Sequence, residues 1–129
     1  MTVEPRPAIG EITWTDLTVP EVGAVREFYE AVAGWTSTPV DMGGYDDLCM
    51  AVKESGRTVA GISHARGANL GLPAQWLLYL NVADLEASLA LCAAKGGKAV
   101  TGIRTMPGIG RFCAVQDPAG AVVALFQAD

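Results

Sequence analysis

Few side chains in this chain could do acid–base or nucleophilic chemistry. There is one histidine, His64, and there are three cysteines, Cys49, Cys92 and Cys113. Imidazole titrates near neutrality, so His64 reads either as an acid/base or ligand-anchoring group at a pocket rim, or as a surface histidine entering the stretch "HARGAN". Asp16 stands mid-strand among apolar neighbours in "ITWTDLTV". A carboxylate in such a setting is a raised-pKa group, an anchor for a cationic or hydroxyl-bearing ligand, or a purely architectural acceptor. A cysteine nucleophile needs a base or a positive charge beside it. Arg111 could serve Cys113 only if both faced a cavity, so packing is the expected role of all three thiols. Trp14, Tyr79 and Phe112 would give a flat ligand broad contact area at modest entropic cost. Trp35 is expected to close a helix against a sheet, and Trp76 to lie in a subunit or module interface. The segment "RTMPGIGRF", residues 104–112, lacks the lysine followed by Ser or Thr of a phosphate-cradling loop and reads as a loop near a cavity mouth or a plain connection.

The elements that must position these groups follow from local patterning. β-Branched and aromatic residues predict a strand over residues 11–19, with Trp14 and Asp16 sharing one face. In "PEVGAVREFYEAVAGW" the apolar residues Val22, Val25, Phe28, Tyr29 and Val32 recur at helical steps and predict a buried stripe, with Gly34 as the stop. The pattern then returns. "QWLLYLNV" reads as a strand, Asp84 as the N-cap of "LEASLALCAAKGG", and Leu85, Leu89 and Cys92 as the inner face of that helix. Val19, Val22, Phe28 and Gly34 map onto Val82, Leu85, Leu91 and Gly97, each 63 positions on (82 − 19 = 63). Two hairpins, "LCMAVKESGRTVAGI" and "FCAVQDPAGAVVALF", also match, with Cys49, Gly56 and Ala60 falling 64 positions before Cys113, Gly120 and Ala124 (113 − 49 = 64). Each half therefore reads strand, helix, then about three strands. The expected organisation is one domain over 1–129 made of two repeated halves, about 10–66 and 75–128.

Composition narrows the function classes. Half the residues are hydrophobic and 18% are charged, which excludes a disordered chain. Fourteen acids against nine bases leave a net charge of −5, which argues against nucleic acid as a partner. No apolar run approaches the roughly 20 residues that cross a bilayer, so no membrane partner is expected. The lead-in "MTVEPRPAIGE" lacks the apolar core of a secretion signal. Three widely spaced cysteines without a CxxC pair fit reduced thiols in a cytoplasmic protein.

The stretches "VPEVGAVREFYEAVAGW", "VADLEASLALCAAKGGK" and "DPAGAVVALFQ", in this order, resemble the vicinal oxygen chelate superfamily: glyoxalase I, bleomycin-resistance proteins and extradiol dioxygenases. The resemblance covers about residues 10–128. It implies an α+β fold of two βαβββ modules whose curved, mostly antiparallel sheets form a cup-shaped cavity, commonly in a homodimer. It also implies four chelating positions in metal-dependent members, one near the start of each module's first strand and one on each closing strand. Carried onto this chain they are Trp14, Leu77, Ala60 and Ala124. None offers an imidazole nitrogen or a carboxylate oxygen. A count wrong by two brings in Asp16, Ile62, Tyr79 and Phe126, which supply one carboxylate and one phenol. No metal and no other cofactor is therefore expected.

Three functions remain open. The first is a metal-free small-molecule binding protein that holds an apolar or aromatic ligand by Trp14, Asp16, Tyr79, Phe112 and His64. The second is a lyase, isomerase or dioxygenase, metal-dependent or metal-independent, with Asp16 and His64 as the weak catalytic candidates. The third is a structural or regulatory dimer with a vestigial cavity.

Overall fold

The computed structural model describes residues 7–129. The chain divides into two compact units, one over Trp14–Leu77 and the other over Leu78–Asp129 together with the lead-in up to Thr13. Among the described residues there are two α-helices and nine strands, an α+β composition.

The first unit is built from β1 (Ile12–Val19), α1 (Val22–Val32), β2 (Trp35–Asp41), β3 (Asp46–Val52) and β4 (Thr58–His64), followed by a 3₁₀ turn at Gly67–Asn69. β1 runs parallel to β4, pairing Asp16 with Gly61 and Leu17 with Ile62. β3 lies antiparallel to both β4 and β2. The alternation of a strand sorts side chains onto two faces. Leu17, Val19, Leu48, Met50, Ala60 and Ile62 form the buried face, covered by Val22, Val25 and Tyr29 of α1. Fully burying side chains such as Met50 and Ile62 contributes roughly 1.5–3 kcal/mol each. Trp14, Asp16 and Thr18 occupy the other face.

Two expectations fail on α1. Phe28 and Val32, expected on the buried stripe, are 54% and 68% exposed. The covered arc is narrower than the apolar pattern, and Phe28 lines a shallow groove with Tyr29 and Trp76 instead. Trp76 packs within the first unit. Its indole N–H donates to the Tyr29 hydroxyl at 3.0 Å, and its ring meets Trp35 edge-on. Trp35 stacks on Tyr29 and so holds the end of α1 to the sheet, as expected.

The second unit contains most of β5 (Trp76–Asn81), then α2 (Leu85–Ala94), two short strands β6 (Lys98–Ala99) and β7 (Arg104–Met106), and the hairpin β8 (Gly110–Gln116) and β9 (Val122–Ala128). β5 runs parallel to β9, pairing Tyr79 with Ala124, and β8 is antiparallel to β9. The stretch 104–112 is not an open loop: β7 and β8 pair across it, Arg104 opposite Phe112. Asp84 caps α2 as its sequence predicts, accepting the Ala87 N–H at 3.0 Å. Leu85, Leu89 and Cys92 pack on Cys113, Val115, Val123 and Leu125.

The two hairpins are not superimposable residue for residue. The first has six residues between paired Ala51 and Thr58 (52–57), the second five between Gln116 and Val122 (117–121). β4 also carries a bulge: Met50 faces Ala60 and Ala51 faces Thr58, leaving Val59 without an opposite number. Each extra residue moves every side chain beyond it to the other face.

Candidate functional site

The bulge decides which residues accompany Trp14 and Asp16. The count from the turn glycine places Ala60 with them, but Ala60 and Ile62 lie in the core beneath α1, 1% and 0% exposed. Because Val59 is the extra residue, the first-unit counterpart of Ala124 is Gly61, which pairs with Asp16 as Ala124 pairs with Tyr79. The extra residue in the first turn separates the cysteines. Cys49 pairs with Gly61 and shares the Asp16 face, whereas Cys113 pairs with Leu125 in the core under α2. Cys113 and Cys92 pack as expected; Cys49 does not share their setting.

Asp16 is held by its neighbours. The Ser63 hydroxyl donates to its Oδ2 at 2.9 Å, and the Trp14 ring lies beside it above Gly61. A methyl group added at Gly61 would collide with Asp16 Oδ1 and press on the Trp14 ring. The glycine is therefore the space into which the carboxylate folds. Burial pushes the Asp16 carboxyl up from 3.8 to about 6, against the downward pull of Ser63 and Trp14 and with a smaller upward push from Asp47. Burial and the Asp16 charge likewise raise the Cys49 thiol, so Cys49 is no ready thiolate.

His64 ends β4. Its ring Nδ1 lies 3.0 Å from Asp47 Oδ1, and its backbone N–H donates to the same oxygen at 2.9 Å. Tyr45 meets the imidazole edge-on at 5.2 Å, and the Arg66 guanidinium lies 3.8 Å over the Tyr45 ring. Asp47 is 9% exposed, two residues before Cys49 on the same strand face. It was missed in the sequence, as was Ser63. The only available signal for Asp47 was an acid opening the apolar run "DLCMAV", and a strand's first residue is commonly polar.

In the second unit Tyr79 and Phe112 come together, ring centroids 5.4 Å apart, and both are buried. Ala114 and Ala124, fully buried, pair beside Tyr79. This strand face is hydrocarbon and aromatic ring where the first unit has Asp16, Gly61 and Cys49. Arg111, considered above as a partner for Cys113, instead forms a two-pronged ion pair with Glu86 and reaches Gln127 at 3.2 Å. That pairing holds the Glu86 carboxyl down at about 2. Arg111 and Cys113 are successive odd positions on one strand, but the guanidinium is spent on α2.

The resemblance implies chelating positions at Trp14, Leu77, Ala60 and Ala124, and the register puts Gly61 rather than Ala60 on the Asp16 face. Indole, hydrogen, isobutyl and methyl do not fit a divalent ion, which needs several nitrogen, oxygen or thiolate donors. Among the described residues no group of three His, Cys, Asp or Glu side chains is placed to hold a metal. Also among them, no helix is long and apolar enough to cross a membrane.

Comparison with known proteins agrees with this architecture. The chain is 29% identical over 135 residues to the anthracycline biosynthesis protein DnrV of Streptomyces peucetius, an alignment covering 93% of this chain and 48% of that protein. It spans about half the length of the curated relatives it matches. Its fold is similar to the methylmalonyl-CoA epimerase of Mycobacterium tuberculosis, with a TM-score of 0.57 at 16% identity over 93% of this chain and 88% of that one. It is similar also to the Mn(II)-bound glyoxalase of Novosphingobium aromaticivorans, with a TM-score of 0.57 at 18% identity over 92% of this chain and 39% of that one. Residues 11–125 match the family described as the Glyoxalase/Bleomycin resistance protein/Dioxygenase superfamily, and the chain, with its paired βαβββ pattern, belongs to it.

Proposed function

We propose that the chain is a metal-free small-molecule binding protein for an apolar or aromatic ligand, with Trp14 and Asp16 as the candidate ligand-binding residues of the first unit and Tyr79 and Phe112 as those of the second. The observation that carries this reading is Asp16. A partly buried carboxylate beside an indole, with a glycine opposite to make room, lies on the strand face where the family resemblance implies chelating groups in metal-dependent members. Such a face combines aromatic contact with one orienting polar group, the usual make-up of a small-molecule site. The relative named for anthracycline biosynthesis is in keeping with an aromatic ligand. The protein acts as one domain of two repeated halves, as a cytoplasmic homodimer.

A panel of flat aromatic compounds, followed by tryptophan fluorescence and thermal shift, tests the proposal. One chemical class should raise the melting temperature and quench fluorescence, since a ligand that binds only the native state stabilises it. Asp16→Asn should weaken that binding. A panel with no effect on either signal would sink it.

One observation favours a second reading, a metal-independent enzyme. A carboxyl raised to about 6 can both give and take a proton near neutrality, as a general acid or base must. Turnover that survives exhaustive chelation and is lost in Asp16→Asn would favour it over passive binding.

A further inference from the structure

The outer side of α2 is apolar. Of its ten residues, Leu85–Ala94, Glu86 alone is charged and Ser88 is the one hydroxyl. Leu85, Leu89 and Cys92 turn inward onto the sheet. Ala87, Ala90, Leu91 and Ala94 are exposed, Leu91 at 61%. A helix that is apolar all round is covered all round in a folded protein. The four exposed residues stand at i, i+3, i+4 and i+7, the set that forms a socket for one side chain of a facing helix. Leu91 is the one large side chain among them, so the same patch holds both a knob and its hole. The equivalent residues of α1, 63 positions earlier, are Ala24, Glu27, Phe28 and Ala31, and they are exposed too (91 − 28 = 63). Glu27 stands there in place of Ala90, so pairing α1 in the same way would bury an uncompensated carboxylate.

We propose that α2 is the contact between two copies of this chain, packed antiparallel across a two-fold axis that passes between Ala90 and Leu91. This rests on the homodimer reading above and assigns it a surface. An isologous contact needs a self-complementary patch, and one that holds knob and socket together is such a patch. About that axis Ala87 meets Ala94 of the partner subunit, and Ala90 meets Leu91 of the partner subunit. Alanines on both sides let the helix axes approach to about 8 Å, the close end of helix packing. The ends of α2 are complementary in charge. Asp84 caps it and Lys95 follows it (95 − 84 = 11), which at 3.6 residues per turn sets the two within about 20° of each other around the helix. Antiparallel packing brings like flanks together with their ends exchanged, so Lys95 comes to Asp84 of the partner subunit, twice over. Lys95 has no ion pair of its own among the described residues, and Glu86 is already matched by Arg111. The helix is only about 15 Å long, so the dimer is weak and depends on concentration.

Sedimentation equilibrium of the full chain, from micromolar to millimolar concentration, should show reversible exchange between monomer and dimer. Leu91→Glu, at an exposed position, should keep the wild-type denaturation midpoint in dilute solution and abolish the dimer. Lys95→Glu, which turns the end contact from attraction to repulsion, should raise the dissociation constant roughly fivefold. Mild oxidation of Leu91→Cys should give a disulfide-linked dimer that neither wild type, with its native thiols, nor Phe28→Cys gives. A dimer that survives Leu91→Glu, or one that is cross-linked through Phe28→Cys instead, overturns the α2 contact and leaves the homodimer standing. A chain that stays monomeric to millimolar concentration overturns both.

Discussion

Asp16 costs the fold stability at neutral pH. Its carboxyl is raised from 3.8 to about 6, so the charged form is disfavoured in the native state. The sign follows from linkage: this group's contribution is fully favourable below pH 3.8 and is lost as pH rises through about 6. A shift of about two units corresponds to about 3 kcal/mol of penalty at neutral pH. Asp16→Asn should therefore be more stable than wild type at pH 7, by up to about that amount, and the two should converge near pH 4. Denaturant melts at several pH values measure this; a variant no more stable at pH 7 than at pH 4, relative to wild type, would contradict the buried setting. Gly61→Ala should act in the opposite sense. The added methyl meets Asp16 and Trp14, and overpacking of this kind costs about 1–3 kcal/mol, readable as a lowered denaturation midpoint.

Among the elements, α2 is the most heavily tied. Asp84 caps it, the Leu85 N–H donates to Gln127 Oε1 at 2.8 Å, and Arg111 joins Glu86 to Gln127. Asp84→Ala should cost about 1 kcal/mol in chemical denaturation. Glu86→Gln, breaking an exposed pair, should cost far less than loss of the cap and lose its effect at high salt. Leu85→Ala, at a fully buried position, should cost about 2–5 kcal/mol. The cap and the inner face of α2 were legible because side-chain type and helical period specify both locally. The α1 stripe was only half legible, since Phe28 and Val32 have the right period but lie beyond the arc that the sheet covers. Facing in the hairpins was not legible at all. One extra turn residue and the unpaired Val59 leave no mark on apolar composition, yet they decide that Gly61 and Cys49 join Asp16 while Ala60 and Cys113 do not. The Asp47–His64 contact joins residues 17 apart through strand pairing, which no local pattern encodes.

On the scale of the whole molecule, the two units share connectivity but differ in chemistry. The first brings the Asp16 carboxylate and the Cys49 thiol to one strand face. The second brings Tyr79, Phe112 and two alanines. Because none of the positions equivalent to chelating residues carries a donor, purified protein should hold no stoichiometric transition metal, and a chelator should leave its melting temperature unchanged. Elemental analysis beside a thermal melt checks both, and a metal bound one-to-one would refute the donor argument.

The close fit of Asp16 into the gap above Gly61 also constrains the order in which this face can change over evolutionary time. A lineage that first replaces the glycine must evict the carboxylate and is penalised at once. One that first trades Asp16 for a shorter residue frees the gap, after which any small side chain at position 61 becomes tolerable. Descendants can thus abandon the acid and then fill the space, but an ancestor with alanine at 61 must revert to glycine before the acid can enter.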